Sequence, residues 1–510
     1  MANQIDFFIG EFKKLLDRSA TVPRYFAPRP YRNAAVRFRN CAMKDFDQRQ
    51  NIVEENGLNA FMFPAHMIPG CDLLSDSGTT TMTMEQWSQL LLGDEAYGSN
   101  QGYFELKDQI TKTFGPAWAQ IDKNKENLFI FHQGRAAENA LFTLLRQEME
   151  KTGVNPEQII IPSNAHFDTT QANIEHNQMQ PKNLPCSEHL DNNESFPFRG
   201  NININKLTEL LEKHKDKIPV VYLTITNNTI GGQPVSMANI REIRKITKAK
   251  KIPFFVDASR FAENAWFIKQ KEEGYQNKTI AEIVEETFNY CDGFHASFKK
   301  DGLVNMGGAI VIKQESIFTQ KFPGFSERLN DHQILVEGHP TYGGLAGRDL
   351  KGLVEGLKTV VKQEYLEHRI RQIEKFGAKL IEYSIPIIRP IGGHGVYLDM
   401  DKFFKGNAED KDFKGVAFVA LMLISGHRLC ELGIYAFGKY QEGKEIPPVP
   451  RVNYVRAAVP RLVYEDQDLL SVAESIKCLY DNQDKIPGVE VLYGRELSLR
   501  HFKSKFRFKI

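Results

Sequence analysis

A lysine pair in a turn after an apolar run has the chemistry to bind a carbonyl compound covalently. Lys299 and Lys300 follow Ser297 in the segment YCDGFHASFKKDG. An amine forms an imine with an aldehyde, a neighbouring ammonium lowers the pKa of that amine, and a serine hydroxyl can contact a phosphate. The pattern indicates Lys300 as the nucleophile towards an aldehyde cofactor, although an isolated lysine pair is more often a solvated surface element.

An anion-binding turn is indicated further upstream. His132, Gln133, Gly134 and Arg135 follow the apolar run NLFIF and precede the helical pattern AAENALFTLL. A glycine lets the backbone approach an anion, and the first N–H groups of a helix together with a guanidinium suit a phosphate. An ordinary strand-to-helix turn is the alternative, and for this segment alone it is the preferred interpretation.

Asp257 ends a third apolar run, KIPFFV, and Arg260 follows three residues later. A carboxylate at a strand end can pair with a protonated pyridine nitrogen, which strengthens the ring as an electron acceptor. A helix-capping aspartate is the alternative. The phosphate turn, the carboxylate and the lysine nevertheless follow one another in the chain order of one cofactor site, and this coincidence favours a single site over three unrelated turns.

Strands and helices must alternate for these turns to meet. From about residue 127 to residue 313, apolar runs such as QIIIPSN, IPVVYLTIT and GAIVIK alternate with helical patterns such as MANIREIRKITKA. This alternation predicts an α/β domain with buried parallel strands and crossover helices, whose ligands bind beyond the carboxyl ends of the strands. After about Gly344, longer helical stretches with a few strands, HGVYLDM and YVRAAVP among them, predict a smaller α+β domain.

Composition excludes several classes of function. The 510 residues carry 65 Lys and Arg against 64 Asp and Glu, a net charge of +1, so no field exists to gather nucleic acid or an anionic membrane. The six cysteines are scattered without a CxxC motif, which argues against a disulfide scaffold or a structural zinc site and indicates a reducing, cytoplasmic location. Neither a membrane-spanning apolar run nor the apolar stretch of a signal peptide is found, so we expect a globular enzyme.

A longer set of motifs spans nearly the whole chain, from about Arg29 to the carboxyl terminus. In order, the motifs are SDSGTTTMT, LLGDEAY, HQGR, SNAHFDTTQ, ITNNTIGGQPVS, DASRFAENAWFIK, KKDGLVNMGG, EGHPTYGGLAGRDL, YVRAAVPR and LRHF. Together they resemble the tryptophanase and tyrosine phenol-lyase family. The resemblance implies a pyridoxal-phosphate (PLP) enzyme of fold type I that is activated by potassium and assembles as a homotetramer, a dimer of dimers.

The resemblance also implies a domain organisation. A large PLP-binding α/β domain with a mostly parallel seven-stranded sheet is expected over residues 81–349. Residues 350–510 are expected to form the carboxyl-terminal small α+β domain, and residues 1–80 an amino-terminal arm and part of that small domain.

Residue roles follow from the same resemblance. The implied cofactor contacts are Gln133, Gly134, Arg135, Ser297 and Lys299 around the phosphate, Phe167 on the pyridine ring, Asp257 at its nitrogen, Asn228 and Arg260 at its phenolic oxygen, and Lys300 in covalent linkage. Lys300 is also the expected base for the Cα proton. The other implied residues are Arg456 and Ser77 for the substrate, Tyr97 at the leaving group, and Glu95 with the carbonyls of Gly78 and Asn305 as potassium ligands.

Three positions bear on the substrate, an aromatic amino acid. Tryptophanases have aspartate at Asp168 and histidine at His501, whereas phenol-lyases have threonine and phenylalanine there and an arginine at the position of Leu432. A phenol needs a donor such as arginine, whereas a carboxylate can accept the indole N–H and a histidine can help to organise the ring. KKDGLVNMGG and LAGRDL lean towards the phenol-lyases, but the three positions favour β-elimination of L-tryptophan to indole, pyruvate and ammonia.

Several alternatives stay open. A tyrosine phenol-lyase, or a lyase for another β-substituted amino acid such as a cysteine derivative, are the enzyme alternatives. Asp168, Leu432 and His501 also have plain structural interpretations, as a helix cap, a core residue and a surface residue. A non-catalytic PLP-binding relative is a further alternative, because Phe298 replaces the small residue that usually follows the serine and could displace the cofactor.

Overall fold

The apolar runs form strands and the amphipathic segments form helices in the computed structural model, which describes residues 46–190, 193–449 and 451–509. The strands are β1 (Leu128–Phe131), β2 (Ile160–Ser163), β3 (Gln180–Asn183), β4 (Val221–Thr224), β5 (Phe254–Asp257), β6 (Gly293–Ser297), β7 (Gly308–Ile312), β8 (Gly395–Asp399), β9 (Cys430–Leu432), β10 (Lys439–Gln441), β11 (Lys444–Ile446), β12 (Tyr454–Ala458), β13 (Val489–Tyr493) and β14 (Lys505–Phe508). The helices are α1 (Phe46–Glu55), α2 (Met84–Leu91), α3 (Gln101–Phe114), α4 (Gly134–Lys151), α5 (Asp168–His176), α6 (Ser187–Leu190), α7 (Ile204–His214), α8 (Met237–Lys250), α9 (Phe261–Lys271), α10 (Ile280–Asn289), α11 (Ile317–Lys321), α12 (Phe325–Glu337), α13 (Gly347–Val360), α14 (Gln363–Glu382), α15 (Met400–Phe403), α16 (Lys414–Ser425), α17 (Ile434–Phe437) and α18 (Asp466–Asp481).

The described residues divide into two compact units. The larger unit contains residues 77–370, and the smaller unit contains residues 46–76 and 371–509. Residues 1–45, with Cys41 and the segment considered as a signal peptide, lie outside the described residues. The domain boundaries expected after residues 80 and 349 stay a prediction.

The larger unit is a mixed α/β unit around a mostly parallel sheet. Its strands are hydrogen-bonded in the order β1-β7-β6-β5-β4, and β7 alone runs against the other four. A separate parallel pair, β2 and β3, completes the seven strands of this unit. The predicted α/β fold with a mostly parallel sheet is therefore confirmed.

The seven strands are not joined by one continuous backbone ladder, and the reason lies in β2. The carbonyls of Ile159 and Ser163 bond to the β3 side, so the alternate residue Pro162 faces β4 and has no N–H to donate. The Asn164 side chain takes over this connection. Its Oδ1 accepts from the Thr224 N–H at 3.1 Å and its Nδ2 donates to the Thr224 carbonyl at 2.8 Å.

Helix starts fall into two groups in the larger unit. Side chains of the preceding residue cap α2, α3, α7, α8, α10 and α11, where backbone N–H groups are accepted by Thr83, Asn100, Asn203, Ser236, Thr279 and Ser316. The residues that precede α4, α5 and α9 make no such side-chain bond. Since the first N–H groups of a helix have no partner within it, α4 and α5 offer donors to a ligand.

The smaller unit is built on an antiparallel sheet in the order β8-β12-β9. The predicted strands HGVYLDM and YVRAAVP correspond to β8 and β12, which pair along their whole length. Helix α16 is apolar on all sides, and all but its first residue are buried in the core of this unit. Two hairpin-like pairs, β10 with β11 and β13 with β14, complete the unit.

The five described cysteines, Cys71, Cys186, Cys291, Cys430 and Cys478, are free thiols. Among the described residues, no helix has both the length and the apolar character needed to cross a membrane.

Candidate active site

The turn between β1 and α4 brings a glycine against β6. Gly134 begins the 18-residue helix α4 directly after Gln133, whose backbone pairs with that of Gly307. A Cβ atom built on Gly134 would lie 2.5 Å from the Ser297 Cβ and 3.1 Å from the His295 Nε2, so glycine is required here. The predicted phosphate residues Gln133, Gly134 and Ser297 thus meet at an uncapped helix start.

Two cations lie near the same turn. Arg135 is the exposed second residue of α4. Burial, and after it the charge of Arg135, lowers the pKa of Lys299. Gly78 approaches this lysine closely, because a Cβ atom built on Gly78 would lie 2.6 Å from the Lys299 Cε. A half-buried ammonium and a guanidinium that repel each other favour an anion between or beside them.

Lys300 lies in a turn that is anchored on both sides. Before it, the Ser297 N–H donates to the Ser259 Oγ at 3.0 Å. After it, the Asp301 Oδ2 accepts from the Ala262 N–H at 2.8 Å and so caps the start of α9. Lys300 itself is half-buried, in a turn whose position is fixed by two neighbouring elements.

The unusual Phe298 is accommodated by glycines of the same turn. Its side chain is buried, and a Cβ atom built on Gly302 would lie 2.6 Å from the Phe298 Cβ. The Phe298 N–H donates to the Gly307 carbonyl at 3.1 Å, as expected for the extension of β6. Any effect of this ring on cofactor position stays a prediction.

Asp257 is held by hydrogen bonds at the end of β5. Its Oδ1 accepts from the Ser259 N–H at 3.0 Å and from the Ser259 hydroxyl at 2.6 Å. His295, which is in register with Asp257 on β6, places Nδ1 3.7 Å from the same oxygen. His295 Nε2 lies 2.9 Å from the Gly134 carbonyl, which can only accept, so Nε2 carries a hydrogen and Nδ1 faces the Tyr222 hydroxyl at 2.9 Å.

A buried glutamate adjoins this carboxylate. Glu138 lies in the second turn of α4 and is 4 % exposed. Side-chain oxygen or nitrogen atoms of Glu138, Asp257 and His295 lie within 4.8 Å of one another. Burial raises the pKa of Glu138 above its usual range, and the charge of Asp257 acts in the same direction, while His295 and Lys300 oppose it.

The loop after β4 packs on the segment that precedes α5. The Asn227 side chain donates to the Ala165 carbonyl at 2.8 Å, so the loop that carries the buried Asn228 lies beside the segment that carries Phe167. Asp168 begins α5, where its Oδ1 accepts from the next backbone N–H at 2.6 Å. The predicted ring residues Phe167 and Asn228 therefore come from neighbouring segments.

Arg260 joins the same group of segments. It is buried before α9, and its carbonyl accepts from the Thr226 hydroxyl at 3.0 Å. The two predicted donors to the phenolic oxygen, Asn228 and Arg260, thus belong to loops that contact each other.

The predicted potassium ligands are brought together only in part. The Asn305 Nδ2 donates to the Gly78 carbonyl at 3.0 Å, so these two residues are adjacent. Glu95 instead pairs with Arg348 of α13, with 2.6 Å between Oε1 and Nη1, and both side chains are exposed. Ser77, directly before Gly78, is half-buried.

Tyr97 lies on the surface of the larger unit. Its side chain is 77 % exposed, and its ring stands edge-on to the rings of His339 and Tyr342, with both centroid distances 5.8 Å. Tyr97, whose hydroxyl is predicted to act on the leaving group, therefore packs its ring against two aromatic residues of the loop before α13.

The smaller unit contains the three remaining predicted residues. Arg456 is buried in the middle of β12, and its Nη2 donates to the Leu74 carbonyl at 2.7 Å. Leu432 ends β9 inside a buried apolar cluster against which Phe61 packs. His501 is also buried, so the surface position considered for it is wrong.

Phe61 packs against the apolar cluster that contains Leu432 and also contacts the ring of His501. The Phe61 and His501 ring centroids are 5.6 Å apart with their planes at 65°. Asn59 orients both residues, because its Oδ1 accepts from the Phe61 N–H at 2.9 Å and its Nδ2 donates to the His501 carbonyl at 3.1 Å.

Sequence reasoning missed several residues that the structure places around the predicted ones. His295 and Glu138 carried a signal, since each is a polar residue within an apolar strand or helix pattern, GFHAS or AAENALF. Ser259, in DASR, carried a weaker one. Phe61 carried none, because its contacts join segments that are far apart in the sequence.

Solved structures share this fold at low sequence identity. A threonine aldolase from Leishmania major aligns with a TM-score of 0.52 and 12% identity over 80% of this chain and 99% of its own. A serine palmitoyltransferase from Sphingomonas wittichii aligns with a TM-score of 0.53 and 11% identity over 86% of this chain and 97% of its own. The fold is that of fold-type-I PLP enzymes, as predicted.

The sequence itself matches more closely related proteins. Residues 72–475 match the family described as "Beta-eliminating lyase". A probable beta-eliminating lyase of Trichomonas vaginalis is 40% identical, covering 89% of this chain and 93% of its own. A tryptophanase of Salinibacter ruber is 37% identical, and the match covers 91% of this chain and 92% of the tryptophanase. A tyrosine phenol-lyase of Symbiobacterium thermophilum is 36% identical, and that match covers 94% of this chain and 98% of the phenol-lyase. The chain belongs to the beta-eliminating lyase family and is a PLP-dependent carbon–carbon lyase, which confirms the predicted family and enzyme class.

The residues of the larger unit fit this cofactor. The close approach of Gly134 to β6 forms a cradle that any Cβ atom would fill, and the α4 start, Ser297 and Lys299 supply donors for a phosphate. The buried Asp257 carboxylate, fixed by Ser259, suits the N–H of a pyridinium.

Proposed function

We propose that this enzyme cleaves L-tryptophan, with the addition of one water molecule, to indole, pyruvate and ammonia. The observation that carries the proposal is the environment of Leu432. This side chain is 3 % exposed in an apolar cluster with Ile388, Tyr397 and Cys430. A phenol leaving group needs a donor for its oxygen, and leucine supplies none, whereas an apolar wall suits the indole ring.

The side chains of the larger unit have distinct roles in this proposal. PLP supplies an aldehyde that condenses with amines and a ring that withdraws electrons from the substrate Cα. Lys300 would hold the cofactor through its aldehyde group, and the Lys300 Nζ would remove the Cα proton of the bound substrate. Asp257 holds the proton at the ring nitrogen, with Ser259 fixing the carboxylate. Gln133, Gly134, Arg135, Ser297 and Lys299 hold the phosphate.

Other side chains position the substrate and assist cleavage. Arg456 binds the α-carboxylate with its guanidinium, aided by Ser77. The Tyr97 hydroxyl delivers the proton to the ring carbon that leaves. Asp168 accepts the indole N–H, and His501 holds the indole ring. Phe167 stacks on the cofactor, while Asn228 and Arg260 donate to its phenolic oxygen.

Potassium, assembly and location complete the proposal. Glu95 and the carbonyls of Gly78 and Asn305 bind potassium, which prefers oxygen ligands. A homotetramer would cover exposed apolar side chains such as Leu91 and Leu335, which are 86 % and 83 % exposed. A cytoplasmic location suits the five described free thiols.

A tyrosine phenol-lyase is the second candidate, since a relative of that name matches at nearly the same identity as the tryptophanase. The deciding experiment incubates the purified enzyme with L-tryptophan, L-tyrosine and S-methyl-L-cysteine and measures indole, phenol and pyruvate. We expect indole release to exceed phenol release by a wide margin. Phenol appearing faster than indole would exclude tryptophan as the preferred substrate, but it would leave the assignment to the carbon–carbon lyases unchanged.

A further inference from the structure

Glu138 is the residue of the larger unit whose burial needs an explanation. It is an acid on the inner face of α4, 4 % exposed, where helices otherwise present apolar side chains. An uncompensated buried carboxylate is costly, so such a group is either paired, hydrogen-bonded or protonated. Among the described residues, no lysine or arginine forms an ion pair with it.

Two threonine hydroxyls accompany this carboxyl group. Thr170 Oγ1 donates to Oε1 at 2.5 Å, and Thr169 Oγ1 donates to Oε2 at 3.1 Å. A hydroxyl also accepts, so the same two partners can serve the protonated and the ionised acid. Both threonines follow Asp168 at the start of α5, and Glu138 thereby connects α4 to the segment that carries the predicted ring residue Phe167.

The groups that interact electrostatically with Glu138 include Asp257, the predicted partner of the ring nitrogen, and Lys300, the predicted Schiff-base lysine, together with His295 and Tyr222. Asp257 lies on β5, His295 on β6, Tyr222 on β4 and Lys300 in the turn after β6. Asp257 and His295 come within 4.8 Å of the Glu138 carboxyl group. Two carboxyl groups at such a distance in a buried region do not readily ionise together, so one proton is shared by the cluster.

We infer that Glu138 is a positioning residue that acts through Asp257: it carries the exchangeable proton of the Glu138–Asp257–His295 cluster and so leaves Asp257 as the charged partner of the cofactor ring. Asp257 suits the charged role because Ser259 gives it a backbone and a hydroxyl donor on one oxygen. Burial, which raises the pKa of Glu138, supports the assignment of the proton to Glu138. The inference rests on the proposed function in one respect only, which is that Asp257 is the partner of the pyridine nitrogen of PLP.

The test compares wild type with Glu138→Gln, which mimics the protonated acid in shape and charge. Infrared spectra of the full chain, recorded with and without PLP, should show a protonated-carboxyl band at neutral pH that Glu138→Gln lacks. The pH titration of PLP absorption, without substrate, should lose one step in the variant. PLP affinity at neutral pH should match that of wild type.

The matched control is Glu148→Gln, a largely buried glutamate of the same helix that pairs with Arg328 and Lys151. It should keep both the infrared band and the titration step. Thr170→Val provides a second variant in case Glu138→Gln does not fold. Because the Thr170 hydroxyl lowers the pKa of Glu138, its removal should shift the step to higher pH.

An unchanged infrared band in Glu138→Gln, or an unchanged PLP titration, would overturn the inference and leave Glu138 with a merely structural role. The infrared measurement without PLP separates this outcome from a failure of the proposed function. If the protein bound no PLP, the cofactor roles of Asp257 and Lys300 would be wrong, while the band would still decide whether Glu138 carries a proton.

Discussion

The Ser259 hydroxyl donates a 2.6 Å hydrogen bond to the Asp257 Oδ1, and the same oxygen of Ser259 accepts from the Ser297 N–H at 3.0 Å. One side chain therefore links the carboxylate proposed to face the cofactor ring with the turn that carries Lys300. The hydrogen bond is short, as expected when a hydroxyl donates to a charged oxygen. Ring position and lysine position are consequently coupled through Ser259.

The first prediction concerns Ser259→Ala. Loss of a buried hydrogen bond to a charged group costs about 1.5–3 kcal/mol, so PLP affinity should fall by roughly 10- to 100-fold. Equilibrium dialysis with PLP measures this change. Ser236→Ala is the control, because Ser236 is equally buried and hydrogen-bonded to Asn201 but has no contact with Asp257. Equal losses in both variants would point to general destabilisation.

The larger unit shows how far sequence reasoning reaches. Strands β1, β2, β4, β5 and β7 were predictable from continuous apolar runs, and the polar turns after them follow from the direction of parallel strands. The pairing gap at Pro162 was not predictable, because it depends on which side of β2 lies next to β4. His295 could be placed on a strand from its sequence, but its hydrogen bonds to Tyr222 and Gly134 arise only from packing.

The smaller unit shows the opposite limit. Its helix α16 and strands β8 and β12 follow from local patterns. The contact of Phe61 with His501 joins residues at opposite ends of the described chain, and no local pattern contains it. The buried position of His501 also contradicts the exposure that its basic neighbours suggest, since the surrounding charges pair with distant residues, as Arg500 does with Glu445.

The second prediction is that Lys300→Ala abolishes turnover and leaves folding intact. The substitution removes the proposed covalent linkage and the base for the Cα proton, and a general base alone contributes about 10²–10⁴-fold. Borohydride reduction of the wild-type enzyme followed by peptide mapping should label Lys300. Lys299→Ala is the control, which should weaken PLP binding but keep the label. A label on Lys299 would shift the assignment by one residue.

The third prediction concerns potassium. If Glu95 is a ligand, it must exchange its ion pair with Arg348 for the cation. Glu95→Ala should therefore abolish activation by potassium, whereas Arg348→Ala should lower the potassium concentration needed for half-maximal activity. Titrations of activity with potassium at constant ionic strength, with sodium as the balancing cation, measure both effects. Equal rates in sodium and potassium for the wild-type enzyme would exclude the cation site.

The fourth prediction concerns stability and pH. Burial raises the pKa of Glu431 from 4.5 to about 7. The carboxylate accepts hydrogen bonds from the backbone N–H groups of Tyr435 and Ala436, which lower the pKa but do not offset the effect of burial. A raised folded-state pKa means that the folded protein binds this proton more tightly, so its contribution to stability is full below about pH 4.5 and is lost by about pH 7. Glu431→Gln should flatten this part of the profile. Urea unfolding from pH 4 to pH 8 measures it, and an unaltered slope would exclude Glu431 as the cause.

The last prediction is that His501→Phe lowers indole release from L-tryptophan and reduces the preference over L-tyrosine. Phenylalanine keeps the ring that stands edge-on to Phe61 but lacks the nitrogens. If a ring nitrogen makes the proposed polar contact with the substrate, its loss should cost about 1.4 kcal/mol, roughly tenfold in kcat/KM for tryptophan. The ratio of indole to phenol, measured side by side, reports preference separately from overall stability. His427→Phe is the control: this buried histidine accepts the Cys71 N–H, so its loss should lower stability and leave the ratio unchanged. A ratio that stays constant in His501→Phe would remove His501 from substrate recognition and leave Leu432 and Asp168 as the residues to test next.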